Sequence, residues 1–325
     1  MKNSKTLKVM AALIVIAGMT AYFAACGNSV TTTPMTDNDF ITDVVKGTQT
    51  DGASESPLLA TDASDIDDGG AVADNDGGPM NPIDSLKKWG RHVLTVDVDV
   101  HIDDEGDTVK SALVTRTIHG VYIIRGYAGG VMDSVNKPYI EVLKRRIDFK
   151  RINTTSDPRR NWRLYHVSML NGSTTSPQNG TDNITMTNIS VYVNGNLTPA
   201  YSFNGPDFTQ NIFTTMWAGG AGIPEFDQGT TIRIVVSLTS NQPDTDYVAW
   251  HWVRNTFGFH RVPFTLTSSL GNSARTYEKT FTIFNGHRIG VFNGYISANT
   301  RQSLWDDDPS KFSSTSTGAP YKVTR

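Results

Sequence analysis

From about residue 86 onward, apolar and polar side chains alternate along the chain with a period of two. Leu94, Val96, Val98 and Val100 share one side of an extended segment, and Thr95, Asp97, Asp99 and His101 share the other, which is the pattern of a strand buried on one face. The run Asp103-Asp104-Glu105-Gly106-Asp107 then supplies a turn. The same alternation predicts strands over 112–126, 139–152, 162–170, 184–193 and 230–238. Asn194-Gly195 precedes a further apolar segment at 197–203, and because both residues tolerate positive φ a hairpin is expected. Within 205–220, Phe208, Ile212, Phe213 and Met216 recur at near-helical spacing behind Asp207, a good N-cap, which predicts one short helix. Strands are expected again over 247–253, 259–266, 275–284, 288–298 and 321–323, with Asn285-Gly286 as another tight turn.

Strands at this spacing, joined by Gly, Asn and Pro turns, predict an all-β fold of one or two antiparallel β-sandwich, immunoglobulin-like modules. The cluster Ser240-Asn241-Gln242-Pro243-Asp244 is the best boundary within the folded part. It divides the body into a β-sandwich over 86–242 and a smaller one over 243–325.

Ahead of the strands the pattern vanishes. Thr, Asp, Gly, Ala and Ser dominate 27–85 with no sustained period, so 26–85 is expected to be an acidic, disordered tether. It holds 12 acidic residues against 1 basic. Of the 29 basic and 32 acidic residues of the whole chain, 25 and 20 remain for the body once the tether and three leader lysines are set aside. The stretches 65–70 and 74–78 look calcium-like, but both lack the alternating acids and closing Glu of an EF-hand loop. Asp97, Asp99 and His101 spread over roughly 13 Å of one strand, too far to converge on one ion unaided. Neither a metal nor a cofactor is predicted.

The first 25 residues place Lys2, Lys5 and Lys8 before an apolar run that ends in Phe23-Ala24-Ala25-Cys26, the layout of an export signal. This ending resembles the lipobox of bacterial lipoproteins. The resemblance implies a signal peptide over 1–25, acyl chains such as palmitate on Cys26, and attachment to a membrane outside the cytoplasm. Gly27, standing where an Asp would favour inner-membrane retention, leans towards the outer membrane. Cys26 is the only cysteine, so an internal disulfide is excluded.

Candidate chemistry is sparse. No G-x-S-x-G elbow, P-loop, H-E-x-x-H or C-x-x-C occurs. Lys144, Arg145, Arg146, Lys150, Arg151, Arg159, Arg160 and Arg163 form a basic ribbon, which reads first as a solvated sheet face and charge-guarded edge and second as a contact for an anionic ligand. The apolar phase changes between Ile140/Val142 and Ile147/Phe149, which predicts a bulge near Arg145. Trp250 and Trp252 share a strand face, as glycan-stacking residues or as sandwich core. Asp97, Asp99 and Glu225 are the carboxylates a glycosidase-like pair would draw on. Outside the cytoplasm nucleic acid is not expected. The sequence therefore predicts a lipid-anchored, non-enzymatic structural or binding module of the cell envelope, with the membrane and an envelope polysaccharide or protein as partners. The alternative is a glycan-binding module or carbohydrate-active enzyme at the cell surface.

Overall fold

A computed structural model describes residues 34–46, 65–66, 83–104, 106–215, 221–243, 245–253, 259–270 and 273–325. The leader, Cys26 and most of the acidic segment lie outside them. Residues 38–325 form one unit. Its strands begin with the two-residue β1 (Asp65–Ile66) and three long ones, β2 (Ser85–Asp104), β3 (Val109–Ala128) and β4 (Val131–Arg151). Then come β5 (Trp162–Ser168), β6 (Asn171–Ser176), β7 (Ile184–Val193), β8 (Tyr201–Asn204), β9 (Ile212–Thr214), β10 (Glu225–Asp227) and β11 (Thr231–Ser240). The last are β12 (Tyr247–Val253), β13 (Phe259–Pro263), β14 (Thr265–Leu270), β15 (Ala274–Thr282), β16 (Gly290–Asn299) and β17 (Ser314–Thr324). Four short helices accompany them among the described residues: α1 (Asp37–Lys46), α2 (Pro158–Asn161), α3 (Gly180–Asn183) and α4 (Arg301–Trp305).

The expected all-β, antiparallel architecture is what the chain adopts, as two packed sheets. One runs β1-β2-β3-β4-β6-β17-β16-β12-β13, with β5 and β9 beside β4 and β10 parallel to β17. The other runs β14-β15-β11-β7-β8. The expected boundary at 242/243 does not divide this body. β17 pairs with β6, and β15 with β11, so strands from both sides of it share both sheets. The turn cluster at 240–244 marks instead where the chain crosses from the second sheet to the first. Residues 259–266, expected as one strand, break at the buried Phe264 and switch sheets, β13 pairing with β12 and β14 with β15.

The first sheet curls until its ends meet. The Arg261 guanidinium of β13 lies 3.3 Å from the centre of the Trp89 ring on β2 and donates to the Trp89 carbonyl at 3.2 Å. Inside the curl, Trp89, Tyr122, Tyr139, Tyr247, Trp305 and Phe312 form an aromatic core. Gly120 faces Tyr139 so closely that a Cβ there would lie 2.6 Å from the phenol ring, which is why this β3 position is glycine.

Three expectations change at this level. α1 occupies part of the expected tether, because Phe40, Ile41 and Val45 form a single apolar stripe that is buried. Its buried Val45 lines one small void with Val114, Leu143 and Ile147 of β3 and β4, and its Asn38 accepts from Lys110 Nζ at 2.8 Å. The expected buried face of 94–100 is largely open: Leu94 is 59% and Val96 37% exposed, Val98 and Val100 are only half-buried, and the β2–β3 register shift between Val93 and Thr95 leaves Leu94 as the extra residue of a bulge. The helix expected within 205–220 is a single 3₁₀ turn, Phe208–Gln210. Asp207 does cap it, accepting from the Thr209 N–H at 3.0 Å, but Ile212 already belongs to β9.

The crossing between sheets is tied by a buried ion pair. Asp246 accepts from Arg275 Nη1 at 2.5 Å and from Ser240 Oγ at 3.0 Å, while its N–H donates to Tyr277 Oη at 2.9 Å. Burial pushes the Asp246 carboxyl up to about 6 despite Arg275. Between the unfolded value near 4 and this folded value, the folded chain holds the proton more tightly, so this group's contribution to stability falls as pH rises through that window. The stability difference between wild type and Asp246→Asn in urea unfolding should therefore decline by about 2–3 kcal/mol from pH 4 to pH 6.5 and stay level above.

Candidate functional site

The basic segment is divided by the pleat of β4. Alternate residues point to opposite faces, and the burial pattern puts Lys137, Tyr139, Glu141, Leu143, Arg145, Ile147 and Phe149 inside. The register with β3 is continuous from Val109↔Lys150 to Ala128↔Val131, so the bulge expected near Arg145 is absent there. Irregularities lie instead against other neighbours, at Ile140/Glu141 towards β6 and Asp148/Phe149 towards β5. The phase change in the sequence arose because charged residues occupy inward positions between apolar ones.

Those inward charges are all held. Glu141 accepts from Arg91 Nη1 at 2.5 Å and from Ser316 Oγ at 2.9 Å, and Arg91 Nη2 donates to Ser314 Oγ at 2.9 Å. Lys137 is wholly buried, with Nζ donating to the carbonyls of Gln302 and Lys311 at 2.9 Å each. Burial lowers its amine to about 8 against the pull of Asp306 and its acidic neighbours. Arg145 is 5% exposed and beyond the reach of an external ligand, so it leaves the expected ribbon.

The outward residues share one face of β4. Lys144 and Lys150 are exposed and the Arg146 side chain is 39% exposed, all on one face of β4. Arg163 of β5 pairs with Lys150 across the ladder. At the hub sits Asp148, nearly buried. It accepts from Ser111 Oγ at 2.8 Å and Arg146 Nε at 2.9 Å, and its other oxygen is 3.2 Å from His166 Nδ1. With that nitrogen as donor, the imidazole is oriented with Nε2 as its remaining polar atom. Tyr165 lies against His166 with ring centroids 3.9 Å apart and planes tilted by 35°, and Lys150 Nζ lies 5.0 Å from the Tyr165 ring. The result is a half-exposed aromatic step beside Lys150 and Arg146 with Asp148 already bonded, while Lys144 lies farther along β4 opposite Asn171 and the Arg163 guanidinium donates to the carbonyls of Arg159 and Trp162.

The remaining cations stand apart from this face. Arg151 lies over Trp162 at 5.7 Å and donates to the carbonyl of Asn153, while Arg159 and Arg160 are exposed on α2, where Arg160 reaches Asp157 at 3.7 Å. Sequence reasoning missed Ser111, Asp148, Tyr165 and His166. The signal present was the antiparallel pairing of two predicted strands, 139–152 and 162–170, which brings 148 opposite 166.

No family model matches the chain, and no curated protein does.

Other expected sites are not assembled. Trp250 is 4% exposed, packed between the sheets against Phe281 at 4.5 Å and Tyr321 at 5.6 Å, so the two indoles form no paired platform for a glycan. The apolar void beside Trp250, Phe226 and Ile232 measures about 20 Å³, room for no more than a water. Asp97 and Asp99 are exposed on β2, where Asp97 approaches His119 at 3.8 Å. Glu225 belongs to β10 and pairs with Lys322 at 3.0 Å. Glu225 thus has its own partner, on a strand other than the one that carries Asp97 and Asp99. Among the described residues no cluster of His, Cys, Asp and Glu is arranged to hold a metal.

Proposed function

We propose that this protein is a cell-envelope lipoprotein, anchored through acyl chains on Cys26, whose folded body is a non-enzymatic binding module for an anionic envelope polysaccharide. The observation that carries the ligand class is the outer β4–β5 face, where Lys144, Arg146 and Lys150 line one side of β4, Arg163 stands opposite Lys150, and the Tyr165–His166 step lies beside them. Cations meet carboxylate, sulfate or phosphate groups, and the aromatic step offers an apolar surface to sugar rings. The anchor itself rests on the leader's likeness to a lipobox, and mass analysis of the mature product for an acylated Cys26 tests it.

Retention on immobilised polygalacturonate or dextran sulfate tests the ligand face. The double variant Lys144→Glu/Arg146→Glu should bind at least about tenfold more weakly, and about 0.5 M salt should release the wild type. Because Arg146 Nε also holds the buried Asp148, the pair Lys144→Glu/Lys150→Glu, both exposed side chains, is the companion variant that should weaken binding with the unfolding temperature unchanged. Retention indifferent to salt and to charge reversal would remove the ligand reading and leave the anchor untouched.

A further inference from the structure

A second feature lies at one end of the body. Leu197, Phe284 and Ile289 are 92%, 72% and 52% exposed, and they come from two separate connections, β7–β8 and β15–β16. Exposed apolar side chains scattered singly are ordinary, but several gathered at one end of a body can serve as a contact surface; the opposite end carries the pair Val131 and Met132, 70% and 55% exposed. The loops are fixed. Asn194 bonds Thr231 through both its N–H, at 2.8 Å, and its Oδ1, at 3.2 Å. The Gly229 N–H donates to the Ile283 carbonyl at 2.9 Å, and Gln228 Nε2 donates to the His287 carbonyl at 2.6 Å. Arg288 is exposed between Phe284 and Ile289. The nearby acids Glu225 and Asp227 are engaged by Lys322 Nζ and Thr324 Oγ1.

Register shows that the N-terminal segment leaves the body at this same end. Val142 pairs with Ser173 and Ser173 with Thr315, so β4 and β17 run in the same direction on either side of β6. Continuing that register, Phe149 and its partner Lys110 fall level with Lys322, next to Val323, which pairs with Gly290 at the foot of the apolar loop. Lys110 holds Asn38 at the start of α1. From Asn38 back to Cys26 there are twelve residue steps, a reach of at most about 43 Å at ~3.6 Å per residue.

We propose that Leu197, Phe284 and Ile289 seat this end of the body on the lipid surface that carries the anchor. The acidic turn 103–107 lies at the same level but four strands away along the sheet, from β3 to β16, or about 19 Å. The inference rests on the anchored reading proposed above and adds an orientation to it. Acyl chains hold the protein to the bilayer, the apolar side chains enter the headgroup boundary, and Arg288 meets lipid phosphates.

The test uses the full chain purified from membranes with its own acyl groups. An environment-sensitive dye is placed on Ile289→Cys or, at the opposite end, on Met132→Cys, which lies in the exposed start of β4. With Cys26 acylated, each introduced thiol is the only free one. In vesicles of phosphatidylethanolamine and phosphatidylglycerol bearing a spin label high on the acyl chain, the dye at 289 should lose at least about half its intensity and the dye at 132 almost none. Leu197→Ser/Phe284→Ser should abolish most of the quenching at 289 while the protein still floats with the vesicles. Flotation at high salt with no quenching at 289, or with quenching at 132 instead, overturns the orientation and leaves the anchor standing. Failure to float, with label also on Cys26, overturns the anchor. Protection of position 289 in lipid-free dimers would assign the patch to a second copy and likewise overturn the proposal.

Discussion

Replacing Glu141 by Ala is expected to destabilise the folded chain by about 3–5 kcal/mol in urea unfolding at neutral pH. The carboxylate is fully buried and receives both Arg91 Nη1 and Ser316 Oγ, so its loss leaves the Arg91 guanidinium, 8% exposed, with hydroxyl partners but no counter-charge. Mutual attraction only offsets what it costs to desolvate two charges, and removing one partner exposes that cost in full. Arg91→Met/Glu141→Leu should accordingly recover most of the loss, because an apolar pair of similar volume has no charge to desolvate. A Glu141→Ala cost under about 1 kcal/mol, or a double variant no better than the single, would show that water reaches the pair.

Trp89→Ala should cost a similar amount, about 3–5 kcal/mol, but with a different signature. The indole is 2% exposed, packs on Tyr122 and Tyr247 at 5.3 Å each, and carries the Arg261 guanidinium on its face. It therefore contributes both core volume and the closure between β2 and β13, the two sides of the curled sheet. Amide hydrogen exchange in β12 and β13 should accelerate beyond the global change, since β13 pairs on one side only. Trp89→Phe keeps a ring beneath Arg261 and should cost about 1–2 kcal/mol. If β13 exchanges no faster than β3 in the Ala variant, the closure depends on the ladder to β12 and not on this stack.

Much of the strand pattern was legible from local alternation. The predicted segment 184–193 coincides with β7, and both Asn194 and Gly195 take the positive φ that their turn requires. The errors fall where alternation stops reporting burial. β17 was expected only over 321–323, yet it begins at Ser314, and Ser314, Thr315, Ser316 and Thr317 are all buried. A Ser/Thr run has no apolar face to read, and its burial depends on partners such as Arg91 and Glu141 that are remote in sequence. α1 was overlooked for the opposite reason. Ten residues of weak amphipathic pattern cannot hold a helix alone, and its stripe is recognisable only once the inner face of β3 and β4 exists to cover it.

The candidate site divides the same way. Eight cations were visible as a cluster in the sequence, but which of them faced outward depended on an unbroken β4 pleat that keeps Arg145 inside. Asp148 and His166 gained their roles only when β4 and β5 paired.

Taken alone, the order of amino acids determined the all-β class, most strand positions and the tight turns, because those follow from side-chain periodicity and from backbone freedom at Asn and Gly within a few residues. Tertiary structure decided which sheet each strand joined, that the body is one unit, that Trp250 is core, and which basic residues meet solvent. Each of these turns on contacts between segments tens to hundreds of residues apart, and no local pattern encodes a partner at that distance.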